Sequence, residues 1–173
     1  MADITHGTWI KDGKAVDAVY QDGVKVYGRN LYTDTRDFDN PSLWPGLSNW
    51  YKTGEKFNGL TVIATDNDWN GLGQTVQAKK GETYTFSAYA RYKSGTGQSM
   101  MFFNVNGSDT GTPVSLNETW QRVTYTMTLT DDSLIRAHID RTNNNTNTLL
   151  IAGLKLERGT ISTPYSPAPE DVM

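Results

Sequence analysis

The sequence predicts an all-β protein, an antiparallel β-sandwich of the jelly-roll kind with a small N-terminal β-hairpin arm. Three observations lead there. The composition suits strands and turns, with 5 Trp, 9 Tyr and 16 Gly in 173 residues and abundant Thr and Asn. Period-two alternation recurs along the chain, and no stretch sustains a 3.6-residue period with caps. Turn signals divide the chain into about ten short strands at roughly 8–15 residue spacing, as in sandwiches. The length allows one domain with a core plus an appendage, read as an arm over 1–28 and a jelly-roll domain over 29–173.

In the arm, Asp12-Gly13 and Asp22-Gly23 each sit between residues of β character, a hairpin signal because a type I′ turn needs positive φ at both central residues. Strands are expected near 8–11, 14–20 and 24–27, a meander too small to bury much alone. The run 29–58 is irregular and carries Trp44, Trp50 and Tyr51 on expected long loops. GLTVIAT (59–65) and GQTVQA (73–78) read as strands around a polar loop. In 83–91, Tyr84, Phe86, Ala88 and Ala90 alternate with Thr85, Ser87, Tyr89 and Arg91, so the first set faces the core. SMMFFNVN (99–106) is a strand and NGSDTGTP (106–113) a turn cluster. From Trp120, Val123, Tyr125, Met127 and Leu129 alternate with Arg122, Thr124, Thr126 and Thr128; Trp120 itself is expected in the core. Ile135, Ala137 and Ile139 alternate with Arg136, His138 and Asp140, and LLIAGLKLE (149–157) is a buried last strand. The proline-containing tail TPYSPAPED reads as a terminus or linker.

Composition also excludes partners and chemistries. The 16 basic and 19 acidic residues are interspersed, so no basic stripe awaits nucleic acid. No apolar run approaches the ~20 residues of a membrane span. Without Cys there is no disulfide or thiolate chemistry. The start, MADITHGTWI, has no charged stretch followed by an apolar one, so no secretory leader is expected. Of the two histidines, His6 lies in the arm and His138 on a strand; there is no Gly-x-Ser-x-Gly elbow, zinc helix, P-loop or dinucleotide motif. Nothing pairs two carboxylates as a glycosidase requires, so the chain is expected not to be an enzyme.

DNDWNG (66–71) matches the first half of a calcium loop at Asp66, Asp68, Asn70 and Gly71. Position twelve, however, is Gln77, one neutral oxygen where a bidentate Glu belongs, and the flanks are strands. A calcium site built from other oxygens stays open. Two readings of Trp69 also stay open. Its ring caps the core, or its face stacks on the C–H-rich face of a sugar while Asp66, Asn67, Asp68 and Asn70 bond the hydroxyls. The row Arg136, His138, Asp140 is either a solvated charged face or a groove floor, joined there by Tyr89 and Arg91. Trp44 and Trp50 divide between core and binding surface in the same way.

The segments GRNLY (28–32), WNGLGQTV (69–76), KKGETYTFSAYAR (79–91), TWQRVTYTMT (119–128) and GLKLERGTISTPYSPAPEDV (153–172) resemble carbohydrate-binding-module-like domains of phage tail and baseplate proteins. Such proteins occur in phages of lactic acid bacteria and their relatives. The resemblance implies a non-catalytic jelly-roll module that binds host cell-surface polysaccharide within the virion, beside other tail subunits, with Trp69 as its ligand-binding aromatic. It also implies that a structural calcium between first and last strands is an option, with no ligands matched here and no other cofactor. The alternative is a structural or assembly module of the tail that binds no sugar.

Overall fold

The computed structural model describes residues 2–5 and 7–173, so His6 lies outside the described residues. In the arm, β1 (Ala2–Thr5), β2 (Thr8–Lys11) and β3 (Lys14–Ala15) form a small antiparallel sheet, and β4 (Ala18–Gln21) pairs with β5 (Val24–Gly28). Asp12, Gly13, Asp22 and Gly23 all have positive φ, so both Asp-Gly turns form as expected. The strand expected over 14–20 is two, because the chain leaves the first small sheet at Val16 and joins the second at Ala18.

The sandwich holds β6 (Tyr51–Phe57), β7 (Leu60–Thr65), β8 (Val76–Ala78), β9 (Thr83–Tyr92), β10 (Gly97–Val105), β11 (Ser108–Leu116), β12 (Gln121–Thr128), β13 (Ser133–Asp140) and β14 (Leu149–Arg158). One sheet has the order β12-β9-β14-β7-β6 and the other β11-β10-β13-β8. All pairings are antiparallel, and the chain repeatedly crosses between sheets, the winding of a jelly roll. Tyr84, Phe86, Ala88, Ala90, Ile135, Ala137 and Ile139 fill the inter-sheet core as their alternation predicts.

Expectations for four further segments change. The irregular run 29–58 contains β6, and the turn cluster 106–113 is mostly β11. Both are edge strands, which accommodate charged residues, Pro, Gly and register breaks that read as loop; β6 breaks register between Lys52 and Lys56. β8 begins only at Val76, since the backbone before it lies against β13 instead of pairing. The tail is no free linker: Thr163, Ser166, Pro167, Ala168 and Pro169 are buried.

β14 explains the tail. Its register shifts between Ala152 and Lys155 at Gly153, whose φ of +59° is left-handed. The shift moves the inward set from Leu149 and Ile151 to Leu154 and Leu156. The outward set therefore has two parts. Leu150 and Ala152 join Leu60, Val62 and Ala64 under a cover of Phe57, Tyr89, Trp120 and Tyr165. Trp120 thus caps the outer face of the five-stranded sheet, stacked on Phe57 at 4.7 Å, and is not in the inter-sheet core. Beyond the bulge the outward residues are Lys155 and Glu157, both fully buried by arm and tail. Lys155 Nζ donates to Thr163 Oγ1 (2.9 Å), the Pro164 carbonyl (2.9 Å) and Ser166 Oγ (3.0 Å). Glu157 accepts from the Thr163 amide (3.1 Å) and hydroxyl (2.7 Å) and pairs with Lys25 at 3.7 Å. Asn30 adds a second clasp, its amide donating to the carbonyls of Leu154 (2.9 Å) and Ser166 (3.0 Å).

This buried ammonium makes stability depend on pH. Burial pulls Lys155 from 10.5 down to about 8, with the neighbouring Glu157 opposing the fall. Between those values the unfolded chain holds more protons, so raising the pH favours the fold. Burial pushes Tyr165 from 10.0 up to about 12, so above pH 10 the unfolded phenol loses its proton first and stability falls. Thermal melts are expected to shift upward from about pH 8 to about pH 10, then downward, and Lys155→Met to abolish the rise.

Candidate functional site

A groove of about 500 Å³ crosses the outer face of the four-stranded sheet. Its floor comes from Phe102 and Asn104 on β10 and Arg136, His138 and Asp140 on β13. Register places Phe102 opposite His138 and Asn104 opposite Arg136. Asp109 of β11 lies opposite Asn104 and closes one side, while Pro45 and Gly46 form part of a wall. Trp69, Asn70 and Gly71 overhang it from the β7–β8 loop.

Trp69 is 50% exposed and has a φ of +60°, which is costly for a bulky residue. The surroundings hold it there. Its amide donates to the Arg141 carbonyl at 2.8 Å, and the Arg141 guanidinium pairs with Asp68. Asn70 donates to the Asp68 carbonyl at 2.6 Å and receives the Trp50 indole N–H on its own carbonyl at 2.6 Å. Arg136 donates to the carbonyls of Gly71 (2.7 Å) and Gly73 (3.2 Å). The indole is thus presented to solvent by a loop pinned from beneath, an arrangement that lowers the entropy lost on binding.

The rings are mutually inclined. Trp69 and Phe102 have centroids 6.3 Å apart at 57°, and Phe102 and His138 lie 5.4 Å apart at 36°. His138 Nδ1 bonds Asp140 Oδ1 on the same face of β13. Beneath the floor, the Tyr32 hydroxyl donates to the Ala137 carbonyl (2.7 Å) and accepts its amide (2.8 Å); burial pushes this phenol's pKa upward.

The glycine of DNDWNG is required here by close approach. A Cβ on Gly71 would collide with Asp140 Oδ1 and His138 Nδ1, and would stand 2.9 Å from His138 Cβ. Gly71→Ala is expected to cost about 1–3 kcal/mol by overpacking, read as a lowered melting temperature, and to displace the Trp69 loop. Asp66 and Asp68 turn apart, Asp66 to the Thr148 hydroxyl and Asp68 to Arg141. Among the described residues no three His, Asp or Glu side chains converge as a metal cage.

The structure therefore brings together Trp69, Asn70, Arg136, His138 and Asp140, with Asp68 engaged below by Arg141. It separates the other candidates from them. Trp44 (1% exposed) and Trp50 (7%) are core residues, not groove aromatics. The long segment before β6 packs by turning Tyr32, Phe38, Trp44 and Trp50 inward, and both indoles find acceptors, Asp34 Oδ2 and the Asn70 carbonyl. Tyr89 and Arg91 belong to β9 of the other sheet, whose polar face points the opposite way. There Arg91 bonds Glu55 (3.1 Å) and lies over Trp120, and Tyr89 packs against Phe57. Sequence reasoning missed Phe102, Asn104 and Asp109. A signal existed for the first: period two can bury only one of Phe102 and Phe103, and Phe103 is the buried one. Asp109 was hidden by its turn-like neighbours.

A larger hollow, about 640 Å³, lies between the β4–β5 ribbon and residues 158–161. Its cations are already engaged, Lys25 by Glu157, Arg29 by Asp17 and Glu170, and Arg158 by Glu82.

No protein-family model matches the sequence, and no curated protein matches it. Solved structures with a matching fold include carbohydrate-binding modules. A family 16 carbohydrate-binding module matches with a TM-score of 0.55 and 16% identity over 73% of this chain and 99% of its own. The C-terminal family 22 module of Clostridium thermocellum Xyn10B matches with a TM-score of 0.54 and 17% identity, over 77% of this chain and 97% of its own. A family 4 module matches at 0.52 and 18%, over 76% and 95%. At such identities the likeness is one of fold, a β-sandwich.

Proposed function

We propose that the chain is a non-catalytic carbohydrate-binding module whose groove holds a host cell-surface polysaccharide. The observation that carries this reading is the half-exposed Trp69 indole held beside Phe102 above the Arg136, His138 and Asp140 row. Inclined aromatic faces take the C–H faces of a sugar, and the polar row takes its hydroxyls. The fold shared with carbohydrate-binding modules supports the reading without naming a ligand. Its setting in a phage tail, made in the host cytoplasm, rests on the segment resemblance alone. In that setting many copies on one particle convert a weak site into avid attachment. Affinity electrophoresis against a panel of cell-wall polysaccharides tests the proposal; migration unchanged by every polymer would refute it.

The arm favours a second, compatible role in assembly, because Tyr20, Val24 and Ile161 stand exposed around one hollow. Light scattering of the full chain and of Tyr20→Ser/Val24→Ser, alone and with other tail subunits, separates docking from decoration.

A further inference from the structure

The hydrogen-bonding atoms that face the groove are unequal in kind. A carboxylate only accepts, so the contact of His138 Nδ1 with Asp140 Oδ1 places the imidazole proton on Nδ1. Nε2 of the neutral ring is then an acceptor. Among the described residues neither His138 Nε2 nor Asp140 Oδ2 has a hydrogen-bond partner; both side chains are largely buried, 7% and 5% exposed, and line the groove floor. At the rim Asp109 receives the Asn104 amide on one oxygen (2.8 Å), and its other oxygen has no partner among the described residues. Among the described residues one guanidinium lines the groove, that of Arg136, whose Nε and one terminal nitrogen are committed to the Gly73 and Gly71 carbonyls. Two carboxylates, Asp109 and Asp140, stand against that one cation, a formal charge of −1 with His138 neutral.

Arg136 Nη1 and the Trp69 indole N–H remain to donate, but the two carboxylates and His138 Nε2 call for donors from the ligand. A sugar hydroxyl supplies one, whereas a phosphodiester or uronate carboxylate supplies none and brings negative charge against two carboxylates. Building on the sugar-binding reading, we propose that the groove selects an uncharged, hydroxyl-rich glycan over a polyanionic one. His138 Nε2 and the outer oxygen of Asp140 accept hydroxyls of a sugar lying against Trp69 and Phe102. Asp140 is in addition a positioning residue, because it sets which ring nitrogen of His138 faces the ligand as an acceptor.

The test uses the full chain at low ionic strength in affinity electrophoresis, with neutral polymers (a β-glucan, a xylan, a glucomannan) and anionic ones (polygalacturonate, a glycerol-phosphate polymer). Retention by at least one neutral polymer and by neither anionic one is expected. Asp140→Asn should weaken neutral binding by about tenfold, and ¹⁵N spectra of the imidazole should show the proton moving from Nδ1 to Nε2. Asp109→Asn, at the exposed rim, keeps the test open if the first variant does not fold; it should raise retention by polygalacturonate. Equal or tighter retention of the wild-type chain by an anionic polymer would overturn the charge selection and leave sugar binding standing. Retention by no polymer of either kind would overturn both. Unchanged neutral binding and an unmoved imidazole proton in Asp140→Asn would remove its positioning role.

Discussion

Trp69→Ala is expected to weaken polysaccharide binding by at least about tenfold, from the loss of ring stacking and of the apolar area it covers. The fold should scarcely notice. Half of the residue is exposed, and its ring has Phe102 as its aromatic neighbour on the sheet surface. A substitution of this kind changes stability by about 0.5 kcal/mol or less, a shift of roughly 2 °C at most in a domain this size. The loop should keep its place, since the bonds that seat it belong to the backbone of residue 69 and to Asp68, Asn70, Arg136 and Arg141. Isothermal titration with a retained polysaccharide and a thermal melt on the same preparation check both halves. Undiminished affinity would place the sugar elsewhere, and a large fall in melting temperature would make the indole a structural cap.

Trp44→Ala is expected to do the reverse. The residue is 1% exposed, lies edge-on to Tyr32 at 5.9 Å, packs on Phe38 at 5.2 Å, and donates its indole N–H to Asp34 Oδ2 at 3.1 Å. Its removal leaves a cavity and takes one of two donors from Asp34 Oδ2, which keeps the Asn40 amide at 2.9 Å, at a cost of about 3–5 kcal/mol. Against a total stability of roughly 5–15 kcal/mol that is a large share, and the melting temperature should fall on the order of 10 °C. Binding would suffer only indirectly, because Pro45 and Gly46 of the groove wall follow directly in the chain. Denaturant unfolding gives the number, and a midpoint unchanged from wild type would contradict the burial described.

These two tryptophans show where a sequence stops being informative. Both stand among Asn, Asp, Pro and Gly, and local chemistry treats them alike. Trp44 is sealed because a long connection must bury its own aromatics to pack at all. Trp69 is bare because the Arg141 carbonyl holds its amide, and Arg136 the Gly71 carbonyl two residues on, with its backbone left-handed over β13. Those anchors lie about 70 residues away in the chain, beyond the reach of any local pattern. Tyr89 and Arg91 teach the same lesson. Alternation correctly turned them away from the core, yet two sheets have two outer faces, and only strand order tells which one a residue occupies.

What the sequence determined by itself was the set of faces. Period-two alternation settled that Arg136, His138 and Asp140 share one side of a strand and that Tyr84 and Phe86 point inward, and the Asp-Gly pairs by themselves marked two turns. Each follows from bond geometry within a few residues. Tertiary structure alone decided which faces meet. It set β10 beside β13, seated Gly71 on the His138–Asp140 pair, and folded the tail over Lys155 and Glu157. Those outcomes depend on the crossings between sheets and on one register slip at Gly153, which cooperative packing of the whole chain selects.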